Sequence, residues 1–266
     1  QAFIDGVNEY GVGSGAAHLV NGHSRAHEEL EQRLAEFCGK PRALLFSTGY
    51  MANIGLAQAL LARGDSVLED RLNHASLLDA GLISSARLMR YRHNDVNDLE
   101  RRLAQRESGN TLVMTDGVFS MDGDIAKLDA ISELARKYDA LLMVDDSHAT
   151  GFFGATGRGT PEHCGVEGRI DVITSTLGKA LGGASGGYTT GRKEIIEMLR
   201  QKSRPYLFSN SLPPMVVNAG IRMFDMMAET SELQDKLHAN TEYFMKRMTE
   251  AGFDIKPTAS AICAVM

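Results

Sequence analysis

One pattern constrains this chain more than any other: short apolar runs recur along it, separated by stretches with helical spacing. The runs are Ala43-Leu44-Leu45-Phe46, Ser66-Val67-Leu68, Thr111-Leu112-Val113-Met114, Leu141-Leu142-Met143-Val144, Asp171-Val172-Ile173-Thr174 and Gly187-Tyr188-Thr189-Thr190. Strands that are apolar throughout, with amphipathic helices between them, suit a sheet covered on both faces. Arg25 to Phe37 sets Leu30, Leu34 and Phe37 at helical intervals, with Ser24 placed to cap the start and Gly39 beyond the end. Asp95 caps a further helix through Arg106, and 127–138 and 192–202 supply more crossovers. The pattern predicts an α/β fold with a mostly parallel central sheet flanked by helices. Pro213-Pro214 precedes a helix from Met215 to about Met227, and another runs from Ser231 to Met248. That second helix reads as the entry to a smaller unit, so 1–228 is expected to be a large domain and 229–266 the start of a truncated small carboxy-terminal one. Gln1 opens mid-pattern without an initiator methionine, and 261–266 read as a strand cut short, so the sequence is expected to be a fragment.

Composition narrows the functions available. With 43% hydrophobic and 23% charged residues among 266, the chain buries a sizeable core and is too apolar for disorder. A net charge of -6 argues against a broad basic face for nucleic acid or anionic lipid, which leaves small molecules as partners. Cys38, Cys164 and Cys263 lie far apart without CxxC spacing, so neither a metal cluster nor a disulfide framework is expected, and a reducing cytoplasm fits. There is no apolar run of bilayer-spanning length and no charged-then-apolar leader, so a soluble protein with no membrane partner is expected.

Polar residues cluster just after the apolar runs, at Thr48-Gly49-Tyr50, Asp116, Asp145 to His148 and Thr176 to Lys179. Open α/β sheets bind ligands beyond the carboxyl ends of their strands, so these groups are expected to converge. Lys179 follows a β-branched run and sits among small residues, where partial desolvation lowers a lysine from about 10.4 toward neutrality and makes its amine reactive. Asp145 ends a wholly apolar run, and a carboxylate there needs a cation opposite it. A protonated pyridine nitrogen meets that need and keeps the ring an electron sink. His148 is spaced to reach the phenolic oxygen of such a ring; in isolation it would be a solvated loop histidine. Together these residues outline a pyridoxal 5'-phosphate (PLP) site.

The remaining candidates are weaker alone. Ser47 to Asn53 joins a strand to a helix, where free amide hydrogens and the helix dipole suit a phosphate and Gly49 permits close approach. An ordinary connection has the same look, and the turn lacks a Walker lysine. Gly11-Val12-Gly13-Ser14-Gly15 has no preceding strand and is not read as a dinucleotide fingerprint. In Asn73-His74-Ala75-Ser76 the imidazole either stacks on a ring and touches a substrate carboxylate, or merely caps a surface helix. Asp116 to Gly123 is either a tight turn or a functional one, with Ser120 donating to the ring oxygen and Asp116 lining the acyl-transfer cavity. Ser209 and Asn210 lie in a polar, aromatic loop that is either a connector or a phosphate contact to a neighbouring subunit.

Asn73 to Ser76, Asp116 to Gly123, Asp145 to His148 and Thr176 to Lys179 occur in the order found in one family, and the chain resembles the α-oxoamine synthases, fold-type I PLP enzymes, over essentially all its residues. Family members also carry an amino-terminal segment and a complete small domain. The resemblance implies that Lys179 is the Schiff-base lysine, Asp145 pairs with the pyridine nitrogen, His148 and Ser120 contact the ring oxygen, and His74 stacks over the ring. Gly49, Tyr50 and Thr176 would hold the phosphate, completed by Ser209 and Asn210 across a homodimer. The implied reaction condenses glycine or alanine with an acyl-CoA and releases CoA, the carboxylate being kept or lost.

Within the family, the stretches from Gly11 through Asn21-Gly22-His23-Ser24-Arg25 to Asp95 resemble the 8-amino-7-oxononanoate synthases of biotin biosynthesis. From about Lys137 onward, including Ala184 to Tyr188 and Arg204 to Asn210, the chain resembles the glycine C-acetyltransferases. The lysine-bearing half and the loop favour the second branch. The acyl donor and the amino acid stay open between the two, beside a mixed-specificity or recombinant chain. Another fold-type I activity, such as an aminotransferase, and a cofactor-binding fragment without turnover are the other readings.

Overall fold

The computed structural model describes residues Gln1–Met266. α1 (Ala2–Tyr10), a π-helical turn (His18–Gly22) and α2 (Arg25–Phe37) lead into β1 (Arg42–Phe46) and α3 (Gly49–Leu60). Then come β2 (Ser66–Asp70), α4 (Ala75–Ile83), β3 (Arg87–Tyr91), α5 (Val96–Leu103), β4 (Thr111–Asp116), α6 (Leu128–Lys137) and β5 (Leu141–Asp145). After the short α7 (Thr160–His163) the chain forms β6 (Val172–Thr176) and β7 (Gly187–Gly191). It continues through α8 (Lys193–Lys202), the one-turn α9 (Arg204–Leu207), α10 (Pro214–Glu229) and α11 (Glu232–Glu250).

The strands form one sheet in the order β1-β7-β6-β5-β4-β2-β3. Only β7 runs antiparallel to its neighbours, so the fold is α/β with a mostly parallel sheet, as the apolar runs imply. Side chains alternate across each strand, and the two faces feed two cores. Leu45, Leu68, Val113, Leu142 and Ile173 join residues of α2, α6 and α10 on one side. Leu44, Val67, Leu112, Met143 and Val172 join residues of α3, α4 and α8 on the other.

Three elements differ from expectation. β3 escapes the pattern because its sequence, Arg-Leu-Met-Arg-Tyr, breaks the apolar run with two charges, as an edge strand does. α5 stops at Leu103 rather than Arg106, whose guanidinium turns back to donate to the Leu103 carbonyl. Residues 261–266 do not form a strand: Val265 makes a single bridge to Ile255. The Thr258 and Ser260 hydroxyls both donate to the Gly123 carbonyl and pin this segment to the turn after β4 instead of to a ladder.

Where β7 begins it touches the start of α3. Gly186 bridges Thr48, and a Cβ on Gly187 would overlap the Thr48 carbonyl and the Gly49 amide. Only glycine lets the two backbones meet so closely.

β2 carries an acid in the core. Glu69 is fully buried and neither carboxyl oxygen has a hydrogen-bond partner. Burial pushes its pKa up to about 8, against the weaker pull of Arg90. For an acid this is a cost: it is absent below the unfolded value near 4.5 and grows as pH rises toward about 8. Glu69→Gln is therefore expected to gain stability relative to the parent between about pH 5 and pH 8, by on the order of a few kcal/mol. Melting curves at both pH values check this; a pH-independent difference would show that charge is not the cause.

Candidate active site

The carboxyl ends of β1, β5 and β6 open onto a cleft of about 230 Å³. Each strand contributes at its last residue or in the loop that follows, because the parallel strands all end at this edge of the sheet. From β1 come Thr48, Gly49 and Tyr50; from β5, Asp145, Ser147 and His148; from β6, Thr176 and Lys179. His74 and Ser76, at the start of α4, close one side.

The turn after β1 is built to start a helix. The Thr48 hydroxyl accepts from the Met51 amide at 3.1 Å and caps α3. Gly49 is the first helical residue, and a Cβ there would stand 3.3 Å from the Thr176 Cβ and 3.7 Å from the Ser147 Oγ. The amides of this first helical turn have no partner within the helix and carry its positive dipole end. Thr176 is held by its own loop: its hydroxyl donates to the Gly186 carbonyl at 2.9 Å and accepts from the Gly178 amide at 3.0 Å. Tyr50 is exposed and donates its hydroxyl to Asp79.

Asp145 forms the floor of the cleft at 4% exposure. Its carboxylate accepts from the Asn53 side-chain amide at 2.6 Å and from the Ser147 backbone amide at 3.0 Å. His148 Nε2 lies 2.7 Å from Lys179 Nζ. Burial, then the lysine charge, pushes His148 down to about 4, so the imidazole is neutral. Burial also lowers Lys179, and the carboxylates of Asp145 and Asp116 only partly restore it. The result is a lysine of reduced basicity, hydrogen-bonded to a neutral histidine.

His74 caps α4, its Nδ1 accepting from the Ser76 amide at 3.2 Å and lying 2.7 Å from the Ser76 hydroxyl. Its own backbone amide donates to Asp116 at 2.7 Å. Asp116 is buried just outside the lining, and burial reinforced by Asp145 raises it well above the usual carboxylate range. One oxygen of Asp116 and Nδ1 of His148 are buried without a partner.

The cleft thus brings together Gly49, Tyr50, His74, Asp145, His148, Thr176 and Lys179. Ser120 is not among them; it is half-buried in the turn after β4, outside the lining. Ser209 and Asn210 are also outside it, although the Asn210 carbonyl accepts from the Ser47 hydroxyl at 2.8 Å and so abuts the base of the capping turn. Sequence reasoning assigned no role to Asn53, Ser76 or Ser147. α3 holds two amides, Asn53 and Gln58, and only the fold shows that Asn53, at 1% exposure, is the one that has to find polar partners. Chemically, the arrangement accommodates a flat, anionic molecule with an electrophilic carbon and a cationic ring atom.

The aminotransferase class I and II family model matches residues 5–266. The chain is 51% identical over 264 residues to 2-amino-3-ketobutyrate coenzyme A ligase of Escherichia coli K12, covering 98% of this chain and 66% of that protein. It is 51% identical over 256 residues to 8-amino-7-oxononanoate synthase of Methylococcus capsulatus, covering 96% and 66% respectively. The chain therefore spans about two thirds of the length of these relatives. Serine palmitoyltransferase of S. paucimobilis, solved with a PLP-myriocin aldimine, superposes with a TM-score of 0.95 at 35% identity over 100% of this chain and 69% of that one. With lysine, aspartate and histidine at the ends of their strands and sequence likeness along nearly the whole chain, the protein belongs to the class I and II aminotransferase family, in its α-oxoamine synthase branch.

Proposed function

We propose that this chain is the cofactor-binding part of a PLP-dependent acyl-CoA:amino acid C-acyltransferase that joins glycine to acetyl-CoA and releases CoA. The observation that carries the proposal is the Lys179 amine, held 2.7 Å from His148 Nε2 in a cleft floored by the buried carboxylate of Asp145. The likeness to 2-amino-3-ketobutyrate coenzyme A ligases, among them the mouse mitochondrial protein at 46% identity, supports the choice of acyl group.

The residues present fit PLP. Asp145 is buried and makes no ion pair within the chain, which suits a protonated ring nitrogen. The unpartnered Nδ1 of His148 and oxygen of Asp116 leave polar capacity at the cleft. The start of α3, with Thr176 beside it, suits the phosphate. When bound, PLP supplies an aldehyde for an amine and a ring that withdraws electrons from the substrate carbon. Lys179 Nζ, of lowered pKa, would be the amine that holds such an aldehyde, and as a free amine it would be placed to take a proton from a substrate carbon. His148 orients Nζ and stays neutral. His74, fixed by its cap, would form one wall of the site, placed to face a flat ring and a substrate carboxylate.

A second reading, condensation of alanine with pimeloyl-CoA, is favoured by the identity to 8-amino-7-oxononanoate synthases. Free-thiol release with each substrate pair separates the two. Glycine with acetyl-CoA is expected to exceed alanine with pimeloyl-CoA by at least about tenfold in kcat/KM. The reverse order selects the second reading, and amino-group exchange without CoA selects an aminotransferase. We further assign the protein to the cytoplasm as a homodimer whose Ser209 and Asn210 meet the neighbouring subunit's phosphate, a stoichiometry that sedimentation would measure. We also propose that residues 229–266 begin a small unit: no side chain of α11 is fully buried, and the segment meets the rest of the chain through a few polar contacts, among them Gln234 to the Gly151 carbonyl and Thr258 and Ser260 to that of Gly123.

A further inference from the structure

We infer that Asn53 is the positioning residue of this cleft, orienting the carboxylate of Asp145 and, through Ser76, the ring of His74. Its amide nitrogen has two hydrogens and both are used: one meets Asp145 Oδ2 at 2.6 Å and the other the Ser76 hydroxyl at 2.8 Å. Its carbonyl accepts from the Thr174 hydroxyl at 2.7 Å. All three partners are buried, and they come from β5, α4 and β6. The assignment of oxygen and nitrogen is forced, since a flipped amide would set its carbonyl against the Asp145 carboxylate.

Two consequences follow from donor and acceptor counts. Asp145 accepts from Asn53 on one oxygen and from Ser147 on the other, which holds the carboxylate plane fixed at the floor of the cleft. Ser76 accepts from Asn53, so its own hydrogen is free to go to His74 Nδ1, 2.7 Å away, where the Ser76 amide also donates. Nδ1 is then an acceptor, and the neutral imidazole carries its hydrogen on Nε2, the nitrogen not engaged by the cap. One amide thus fixes the acid on one side of the cleft and the tautomer of the imidazole on the other.

The Asp145 half of this inference rests on the cleft being a PLP site; the His74 half does not. The test uses the chain with PLP as the probe, together with nitrogen-15 imidazole spectra of the protein without cofactor. Asn53→Ala is expected to weaken PLP binding at least about tenfold and to shift His74 from the Nε2-H form toward a mixture of tautomers. Ser76→Ala is expected to shift the His74 spectrum in the same direction as Asn53→Ala, and an unchanged spectrum in that variant counts against the link through Ser76. A folded Asn53→Ala that binds PLP within about twofold of the parent and keeps the parent His74 spectrum overturns the inference. Should that variant not fold, Thr174→Val removes only the brace on the Asn53 carbonyl and is expected to weaken PLP binding about threefold, no change counting against the inference. If the parent chain itself binds no PLP, the proposed function fails, and the His74 spectra still decide the role of Asn53.

Discussion

Lys179→Ala is expected to abolish the borohydride-fixable PLP adduct of the chain and to lower thiol release by at least about 10³-fold. Lys179 is the lysine in the cleft lining, so no neighbouring amine replaces it there. Burial lowers its pKa, which raises the neutral, nucleophilic fraction near neutral pH. Lys179→Arg separates charge from nucleophilicity: a guanidinium keeps the cation but does not deprotonate, so the same loss is expected. In the alanine variant the His148 imidazole also loses the adjacent charge that helps hold it near pH 4, and its titration should move upward. Mass spectrometry of the reduced, digested protein reads the outcome. A peptide containing residue 179 should carry the label in the parent alone; label of equal yield in the variant would remove Lys179 from the chemistry.

Asp145→Asn should lower turnover by about 10² to 10³-fold while the protein still folds. The substitution keeps volume but removes the anion, and an electron-withdrawing ring whose nitrogen faces no anion holds its proton poorly. It also places an amide where two donors converge, from Asn53 and Ser147, so one incoming N–H would oppose another unless the side chain turns. Asp145→Glu restores the charge at a shifted position and should recover part of the loss. Cofactor absorbance and thiol release, measured side by side, check this. Turnover within about tenfold of the parent in Asp145→Asn would show that the buried acid is not the ring's counter-ion.

What the sequence disclosed follows from how local each signal is. The core strands were visible because strands covered on both faces are apolar throughout; β4 is buried at every residue. β3, on the edge, carries Arg87 and Arg90 and reads as neither strand nor helix. The cleft was legible because Asp145, His148, Thr176 and Lys179 each follow an apolar run directly, where parallel topology puts ligands. Asn53 was not, since its partners Asp145 and Thr174 are 92 and 121 residues away and no local spacing encodes that meeting. Ser120 has a plausible local context, and the fold sets it half-buried in the turn after β4, outside the residues that line the cleft. Ser76 gives no signal beyond the motif it sits in, yet it links a helix cap to the cleft floor.

The reversed strand β7 gives the cleft a mechanical property. The loop bearing Lys179 leaves β6 and returns within ten residues, ending where Gly186 meets Thr48 and Gly187 leaves no room beside Gly49. The start of α3 and the loop that carries the amine consequently meet at one junction built on Gly186 and Gly187, so a side chain added at Gly187 is expected to displace both.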